Sequence, residues 1–232
     1  MRVDLQPGYV LHSRPFRDTS LIVDCFTRDY GRVSLLARGA RSAKQKQKPF
    51  IQAFTPILFS WQGKTSLKTL LGSEPASQLT ILTGLSLYTG FYLNELLVRV
   101  LPELDAHDEL WEQYSQCLYR LQHVKADIKA VTIEPLLRVF ELTLLDQLGY
   151  GIDLRFDLNG VPIREDTYYQ LVDVQGFLPA EEGYSGAWLT AMARYEFTAS
   201  DVRAAAKRLL RVLLKPHLGS KPLQSRQLFS KF

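Results

Sequence analysis

The sequence has few of the residues from which metal sites and disulfides are built. It contains two cysteines, Cys25 and Cys117, and four histidines among 232 residues. Two distant cysteines and scattered histidines do not supply the closely spaced ligands of a zinc site, so we predict no metal. They are typical of reduced, buried thiols in a cytosolic protein.

Long hydrophobic segments are also missing. No apolar run reaches about 18 residues without a polar interruption, which is the length at which a membrane helix becomes a candidate. The first residues, M-R-V-D-L-Q-P-G, lack the apolar segment of a secretory signal. We therefore expect a cytoplasmic protein with no membrane partner, and we take a monomer as the default state.

The motifs of common catalytic centres are absent. The sequence has no phosphate-binding loop ending in Gly-Lys-Ser/Thr, no Gly-x-Ser-x-Gly and no His-Glu-x-x-His. Two carboxylate pairs, at 165–166 and 181–182, lie in turn-rich sequence where charged side chains are normally solvated. We predict no catalytic residues, no cofactor and no enzymatic activity, with a hydrolase site within residues 150–185 as an alternative.

Carboxylates are missing from one strongly basic segment. Residues 38–48 contain no Asp or Glu but hold five cations, which follow Arg32 of the preceding strand: Arg38, Arg41, Lys44, Lys46 and Lys48. A loop does not bury so much charge, and nothing nearby in the sequence neutralises it. The segment therefore predicts an anionic partner.

Charge is unevenly distributed along the whole chain. Residues 1–80 hold 12 Lys/Arg and 5 Asp/Glu, residues 81–200 hold 8 and 18, and residues 201–232 hold 8 and 1, within a net charge of +4. Two basic ends thus flank an acidic middle. Either the charges segregate without consequence, or the chain has two polyanion-binding surfaces.

The first 80 residues show the pattern of short β-strands. Segments rich in β-forming residues end at turn signals, and Arg28–Gly31 predicts a hairpin turn. The predicted strands cover residues 9–12, 21–27, 32–37, 56–62 and 66–72. Five short strands favour a small OB-type barrel, with an SH3-like barrel as the competitor. Phe16 and Phe50, each beside cations, are candidates for stacking on bases.

From residue 81 the apolar spacing becomes helical. Helices are predicted at 81–101, 108–124, 135–148, 186–194 and 200–215. Pro135 is expected at the first position of the third helix, and Ser200 is expected to cap the last. We expect an irregular or β insert at about 150–185. The prediction is an α+β protein with an OB-fold domain at 1–80 and a helical domain at 81–232.

The last predicted helix has cations at successive i+4 positions. Arg203, Lys207, Arg208, Arg211 and Lys215 span only about 140° of the helix circumference. Like charges four residues apart repel each other, so this arrangement costs some stability. The cations either form a solvated face toward the acidic middle of the chain, or they bind an acidic peptide or a phosphate backbone.

Several sequence blocks carry a family resemblance. They include V-L-H-S-R-P-F-R-D-T-S-L-I-V-D-C-F-T (10–27), G-R-V-S-L-L-A-R-G-A-R (31–41) and L-K-P-H-L-G-S-K-P-L-Q-S-R (214–226), with shorter blocks at 54–56, 87–97, 138–145 and 148–151. In this order they closely resemble the RecO family of bacterial DNA repair proteins, in its gammaproteobacterial form. Some relatives carry a four-cysteine zinc site, for which this chain lacks the cysteines.

The resemblance implies an OB-fold followed by a helical domain, and a recombination mediator that is not an enzyme. Such proteins bind single- and double-stranded DNA and anneal complementary strands. They also bind the acidic C-terminal tail of the single-stranded-DNA-binding protein. Together with RecR they help RecA to load onto strands that this protein coats. The OB-type barrel alone leaves an RNA-binding module as the alternative.

The resemblance also implies where the ligands bind. The implied DNA contacts are Arg14, Arg17, Arg38, Arg41, Lys44, Lys46 and Lys48. The implied tail-binding arginine, from the family's E-P-x-L-R segment, is Arg138. We add Lys207, Arg208 and Arg211 to the tail site from their charge placement, and Leu142, Leu145 and Leu209 as candidate walls of an apolar socket.

Overall fold

A closed five-stranded barrel is formed by the N-terminal part of the chain. The computed structural model describes residues 1–42, 49–124 and 129–229. The strands close in the order β1-β2-β3-β5-β4, with β3 parallel to β5 and the other pairs antiparallel. They are β1 (Arg2–Phe16), β2 (Ser20–Thr27), β3 (Gly31–Ala37), β4 (Ile57–Gln62) and β5 (Leu67–Pro75). This confirms the predicted OB-type barrel within an α+β fold.

The first strand is much longer than the predicted segment 9–12. Its first half pairs with β4 and its second half with β2, and a register shift occurs in each half. Bulges of this kind bend a strand and interrupt the alternation of buried and exposed side chains. Burial accordingly does not alternate along β1, since Gly8–Leu11 are all buried and His12–Pro15 are all exposed. The sequence prediction was too short because it relied on a regular strand pattern.

The barrel interior is filled by alternate residues of the strands. In β3 the buried positions are Gly31, Val33, Leu35 and Ala37, as a period of two requires. Trp61 of β4 is fully buried. The predicted hairpin is confirmed, since Thr27 pairs with Gly31 across a three-residue turn.

Two helices pack on the outside of the barrel, α1 (Gly84–Val100) and α2 (Asp108–Gln122). The side-chain amide of Asn94 donates to the carbonyls of Val10 (3.3 Å) and Leu11 (2.9 Å), where β1 is bulged. These contacts satisfy buried main-chain acceptors that the irregular strand leaves open. The expected start of α1 at Ile81 is wrong, because Ile81 precedes the helix and is 69% exposed.

The end of the chain returns to α1. Glu95 accepts hydrogen bonds from the main-chain amides of Gln224 (3.0 Å) and Ser225 (2.8 Å) and from the Ser225 hydroxyl (2.6 Å).

The chain divides into two compact units. Residues Met1–His123 and Ser220–Phe232 form one unit, and Val124–Gly219 form the other. We call these the barrel unit and the helical unit.

In its described residues, the helical unit contains three α-helices and a small antiparallel sheet. The helices are α3 (Lys129–Gln147), α4 (Gly186–Ala193) and α5 (Ser200–Leu214), followed by a 3₁₀ turn at Lys215–His217. The sheet, in the order β7-β6-β8, consists of β6 (Tyr168–Val172), β7 (Gly176–Ala180) and β8 (Tyr184–Ser185). The sheet confirms the predicted β insert.

Two predicted roles at helix starts in this unit are wrong, although α5 begins at Ser200 as predicted. Pro135 lies inside α3 and not at its first position. Ser200 is the first residue of α5, whose N-cap is Ala199, and no side chain caps that end. Buried apolar residues on both sides of Pro135, Ile133 and Leu136, let tertiary packing override the local signal of the proline.

Both cysteines are buried and form no disulfide, as predicted. Burial raises the pKa of the Cys117 thiol to about 12. The thiol is therefore protonated and a poor nucleophile at neutral pH. None of the described helices has the length and apolar character needed to span a bilayer.

Candidate nucleic-acid interface

Strand register gathers four of the predicted DNA-binding arginines at one end of the barrel. Phe16 of β1 pairs with Ser20 of β2, and Leu21 pairs with Ala37 of β3. The turn after β1 and the segment after β3 therefore meet at the same end. We call the arginines placed there the cationic rim: Arg14, Arg17, Arg38 and Arg41.

Hydrogen bonds join the two segments of the rim. The main-chain amide of Arg41 donates to the carbonyl of Thr19 at 2.8 Å, and its guanidinium reaches the carbonyl of Arg17 at 3.4 Å. A tight turn, in which Ser42 donates to Gly39 at 2.8 Å, holds the segment in place. The rim is thus anchored by main-chain contacts and does not depend on ion pairs.

The rim arginines are exposed and largely unneutralised. Among the described residues, Arg17, Arg38 and Arg41 form no ion pair, while Arg14 lies 3.6 Å from the buried carboxylate of Asp24. The guanidinium of Arg17 lies over the ring of Phe16, 5.3 Å from its centroid. An open cluster of guanidinium groups beside an aromatic ring is suited to phosphates and stacked bases.

Three predicted lysines, Lys44, Lys46 and Lys48, lie outside the described residues. Where the description resumes, Phe50 is half-buried and packs against the barrel core. Arg32 does not belong to the rim, because its guanidinium donates to the carbonyl of Leu101 (2.9 Å) and lies 3.6 Å from Glu103. That arginine fastens β3 to the segment after α1.

The predicted tail-binding residues do not share one environment. Arg138 is 7% exposed, and its guanidinium lies 2.9 Å from the carboxylate of Glu141. Leu145 and Leu209 are completely buried in the helical unit, so no ligand reaches them in this conformation. Leu142 is also mostly buried, but it lines an open cavity of about 520 Å³.

The remaining members of that set are exposed on α5. Lys207, Arg208 and Arg211 face solvent, while the opposite face of α5 is buried. The guanidinium of Arg208 lies 5.7 Å from the ring centroids of both Tyr184 and Trp188. The sequence analysis missed these two aromatic residues. The available signal was two aromatic residues four positions apart, shortly before the basic helix.

Contacts below and beside the two rings fix them in place. Phe177 packs edge-on against Tyr184 at 5.6 Å, and the Trp188 indole donates to Asp201 at 3.0 Å. Burial raises the pKa of Tyr184, and the hydrogen bond from Trp188 lowers the pKa of Asp201. Tyr184 is therefore neutral, and Asp201 is ionised, at neutral pH.

One cation of the predicted α5 face has a structural role. Arg203 lies 3.2 Å from the carboxylate of Glu134 and donates to the carbonyls of Phe197 (3.1 Å) and Thr198. The interpretation that the cations of this helix face acidic residues of the same chain therefore holds for Arg203. It does not fit Lys207 or Arg211, which form no ion pair within the described residues.

The fold and the cationic rim define a protein with an OB-type barrel, followed by a helical unit. The family model "Recombination protein O N terminal" matches residues 1–79, and "Recombination protein O C terminal" matches residues 82–227. The chain therefore belongs to the RecO family.

Curated relatives match along nearly their whole length. DNA repair protein RecO of Cellvibrio japonicus (strain Ueda107) is 44% identical, covering 99% of this chain and 98% of the relative. The protein of the same name from Haemophilus influenzae (strain 86-028NP) is 41% identical over 100% and 98%. That of Actinobacillus pleuropneumoniae serotype 5b (strain L20) is 44% identical over 96% and 92%. The similarity thus spans both units.

Proposed function

We propose that this protein is a cytoplasmic mediator of DNA repair and recombination that acts without catalysing a reaction. In this proposal it binds single- and double-stranded DNA through the cationic rim and anneals complementary strands. The observation that carries the proposal is the cluster of four exposed arginines at one end of an OB-type barrel. The name of the curated relatives supports DNA repair as the setting.

Annealing of complementary strands requires no bond to be made or broken by the protein. Two strands must be held with their charges screened and their bases free to pair, and the arginines of the rim supply the screening. Lys44, Lys46 and Lys48, which follow the rim in sequence, extend the proposed site. Counterion release makes such binding depend on salt and not on sequence.

The proposal includes protein partners. It holds that the protein binds the acidic tail of the single-stranded-DNA-binding protein and acts with RecR to help RecA load onto coated strands. Support comes from the family alone for RecR and RecA. For the tail, Arg138 is the proposed contact, and a peptide carboxylate there would replace Glu141 as its partner.

Annealing of coated strands tests the main proposal. Complementary strands are coated with the single-stranded-DNA-binding protein, with or without its acidic tail, and the rate of duplex formation is measured. We expect this protein to accelerate annealing, and to do so more weakly when the tail is missing. No acceleration with naked or coated strands would contradict the proposal, as would an equal preference for RNA in a competition experiment.

Arg138 is tested with two variants. We expect Arg138→Ala to weaken binding of the tail peptide and to leave binding of naked DNA unchanged. Because this change breaks the buried ion pair between Arg138 and Glu141, at a cost of about 3–5 kcal/mol, the paired variant Arg138→Met/Glu141→Gln serves as the better-folded comparison. Equal losses for peptide and DNA would show that the two ligands share one site.

A further inference from the structure

The exposed cations of α5 and the two rings beside them form a second surface of mixed character. We call it the α5 platform: Tyr184, Trp188, Lys207, Arg208, Arg211 and Lys215. We propose that the α5 platform is a second binding site for single-stranded nucleic acid, in which bases stack on the rings and phosphates contact the cations. This inference rests on the proposed strand-binding function, but it places a strand on different residues.

The cations are aligned along the helix. Lys207 and Arg211 of α5 are followed, again four residues on, by Lys215, the C-cap of α5, whose backbone is still helical. At 1.5 Å per residue the three cations extend over about 12 Å. All three are exposed and form no ion pair in the described part of the chain. Such a row is long enough to contact more than one phosphate of a strand.

The charge of the rest of the helical unit confines an anionic ligand to this row. Residues 124–219 hold 11 Lys/Arg and 13 Asp/Glu, a net charge of −2, and five of those cations lie at 203–215. Repulsion from the other carboxylates disfavours phosphate elsewhere on the unit. The platform is therefore a local positive site and not part of a generally basic surface.

The aromatic part of the platform is already ordered. The ring of Tyr184 rests edge-on against the buried ring of Phe177, and the Trp188 indole is held by Asp201. Both rings are half-buried and keep an accessible part. The Arg208 guanidinium beside them adds a planar group on which a base can also stack. Because the rings are fixed beforehand, stacking costs little side-chain entropy.

The shape favours bases over the apolar end of an acidic peptide. A terminal apolar residue needs an enclosed socket with an arginine at its edge. The leucines predicted as walls of that socket, Leu145 and Leu209, are completely buried. Rings beside a row of cations are instead the combination found where proteins bind single strands without sequence preference.

The number of bound oligonucleotides tests the inference with the full-length protein. The probe is oligo(dT) of about ten nucleotides, within the 4–16 nucleotides that one OB-fold occupies. We expect two per wild-type chain in a saturating titration. One should remain in Trp188→Leu/Arg208→Gln, and one in the rim-triple variant Arg17→Gln/Arg38→Gln/Arg41→Gln, which removes every rim arginine that forms no ion pair in the described part of the chain. Arg194→Gln, which removes an exposed cation of the same unit outside the platform, should retain two.

A second measurement separates bases from phosphates. In the rim-triple variant, where the platform is the remaining site, adding Trp188→Leu should weaken oligo(dT) binding about five- to hundred-fold. Affinity for an abasic strand of the same length should stay unchanged. Trp188→Phe keeps a ring and should restore most of the affinity, which excludes misfolding as the cause.

Other outcomes decide against the platform. One oligonucleotide per wild-type chain, lost in the rim-triple variant, would overturn the α5 platform while the proposed function stands. Two oligonucleotides bound by Trp188→Leu/Arg208→Gln would also overturn it. If that variant lost an acidic peptide with an apolar last residue and kept both strands, the surface would be a peptide site. No strand bound by any variant or the wild type would reject both proposals.

Discussion

The salt dependence of DNA binding gives a direct measure of the cationic rim. Replacing Arg38 and Arg41 by glutamine removes two exposed charges that form no ion pair in the described part of the chain. Each phosphate contact on a single strand contributes about −0.7 to the slope of log affinity against log salt. The double variant should therefore have a slope that is shallower by about 1.4.

That difference is large enough to measure. Between about 50 and 200 mM salt, a fourfold change, the wild-type affinity should fall about sevenfold further than that of the variant. The assay is fluorescence anisotropy with a labelled single strand at several salt concentrations. Because the rim contacts phosphates, the change should be the same for strands of different sequence.

A control at the other end of the barrel separates rim contacts from overall charge. Arg28 lies in the β2–β3 turn and is exposed, and its guanidinium lies 2.8 Å from the carboxylate of Asp29. Arg28→Gln should leave the slope unchanged within about 0.3. An unchanged slope in the rim variant, or equal changes in both variants, would refute the assignment of the rim as the site of phosphate contact.

The remaining predictions concern the scaffold. Asn94→Leu removes the side-chain donor to two buried main-chain carbonyls of β1, and at about 1–3 kcal/mol for each carbonyl it should lower the urea midpoint clearly. Burial alone would raise the pKa of Glu95, but hydrogen bonds from Ser225 hold it below the ordinary value of 4.5. The resulting stabilisation is complete above pH 4.5 and is lost as the pH falls through the lower pKa of the folded state. In Glu95→Gln the loss of stability on acidification should therefore be less steep. Gly31→Ala adds a Cβ 1.8 Å from a carbonyl oxygen at a φ of +62°, whereas Gly160→Ala meets a similar φ in open space, so thermal unfolding should show a much larger loss for the first.

The barrel could be predicted because its signals are local. A hairpin turn at 28–31 and alternating residues in β3 specify neighbouring strands without reference to distant segments. The rim follows from the same signals, since its arginines flank the ends of those strands. The length of β1 could not be predicted, because its irregularities are stabilised by distant side chains: Asn94 at Val10 and Leu11, and Ser60 at Leu5.

Which cations are available to a ligand was not visible in the sequence. Arg203 was predicted to belong to a cationic face of the last helix, and Arg32 was counted with the cations of the basic segment. Their carboxylate partners lie about 70 residues away in the chain, at Glu134 and Glu103. Nothing within a window of one helix turn reveals such partners. Pattern analysis therefore places positive charge along an element but overestimates how much of it faces solvent.

Arg138 illustrates the opposite difficulty. The segment E-P-L-L-R-V-F-E-L-T-L-L carries few polar residues, and a helix that is apolar on most sides is buried. A charged residue in such a helix requires a partner, and Glu141 stands three positions further on. The sequence thus contained the signal for a buried ion pair, and the family motif drew attention to a binding role instead.

The charges of the two units suggest different contributions to strand binding. The barrel unit, residues 1–123 and 220–232, holds 17 Lys/Arg and 11 Asp/Glu, whereas the helical unit has a net charge of −2. A net positive unit attracts a polyanion from beyond contact distance, and salt screens that attraction. The α5 platform lies on a net negative unit, so its affinity must come from short-range contacts, chiefly stacking on Tyr184 and Trp188. The rim is therefore suited to capturing a strand, and the platform to holding its bases.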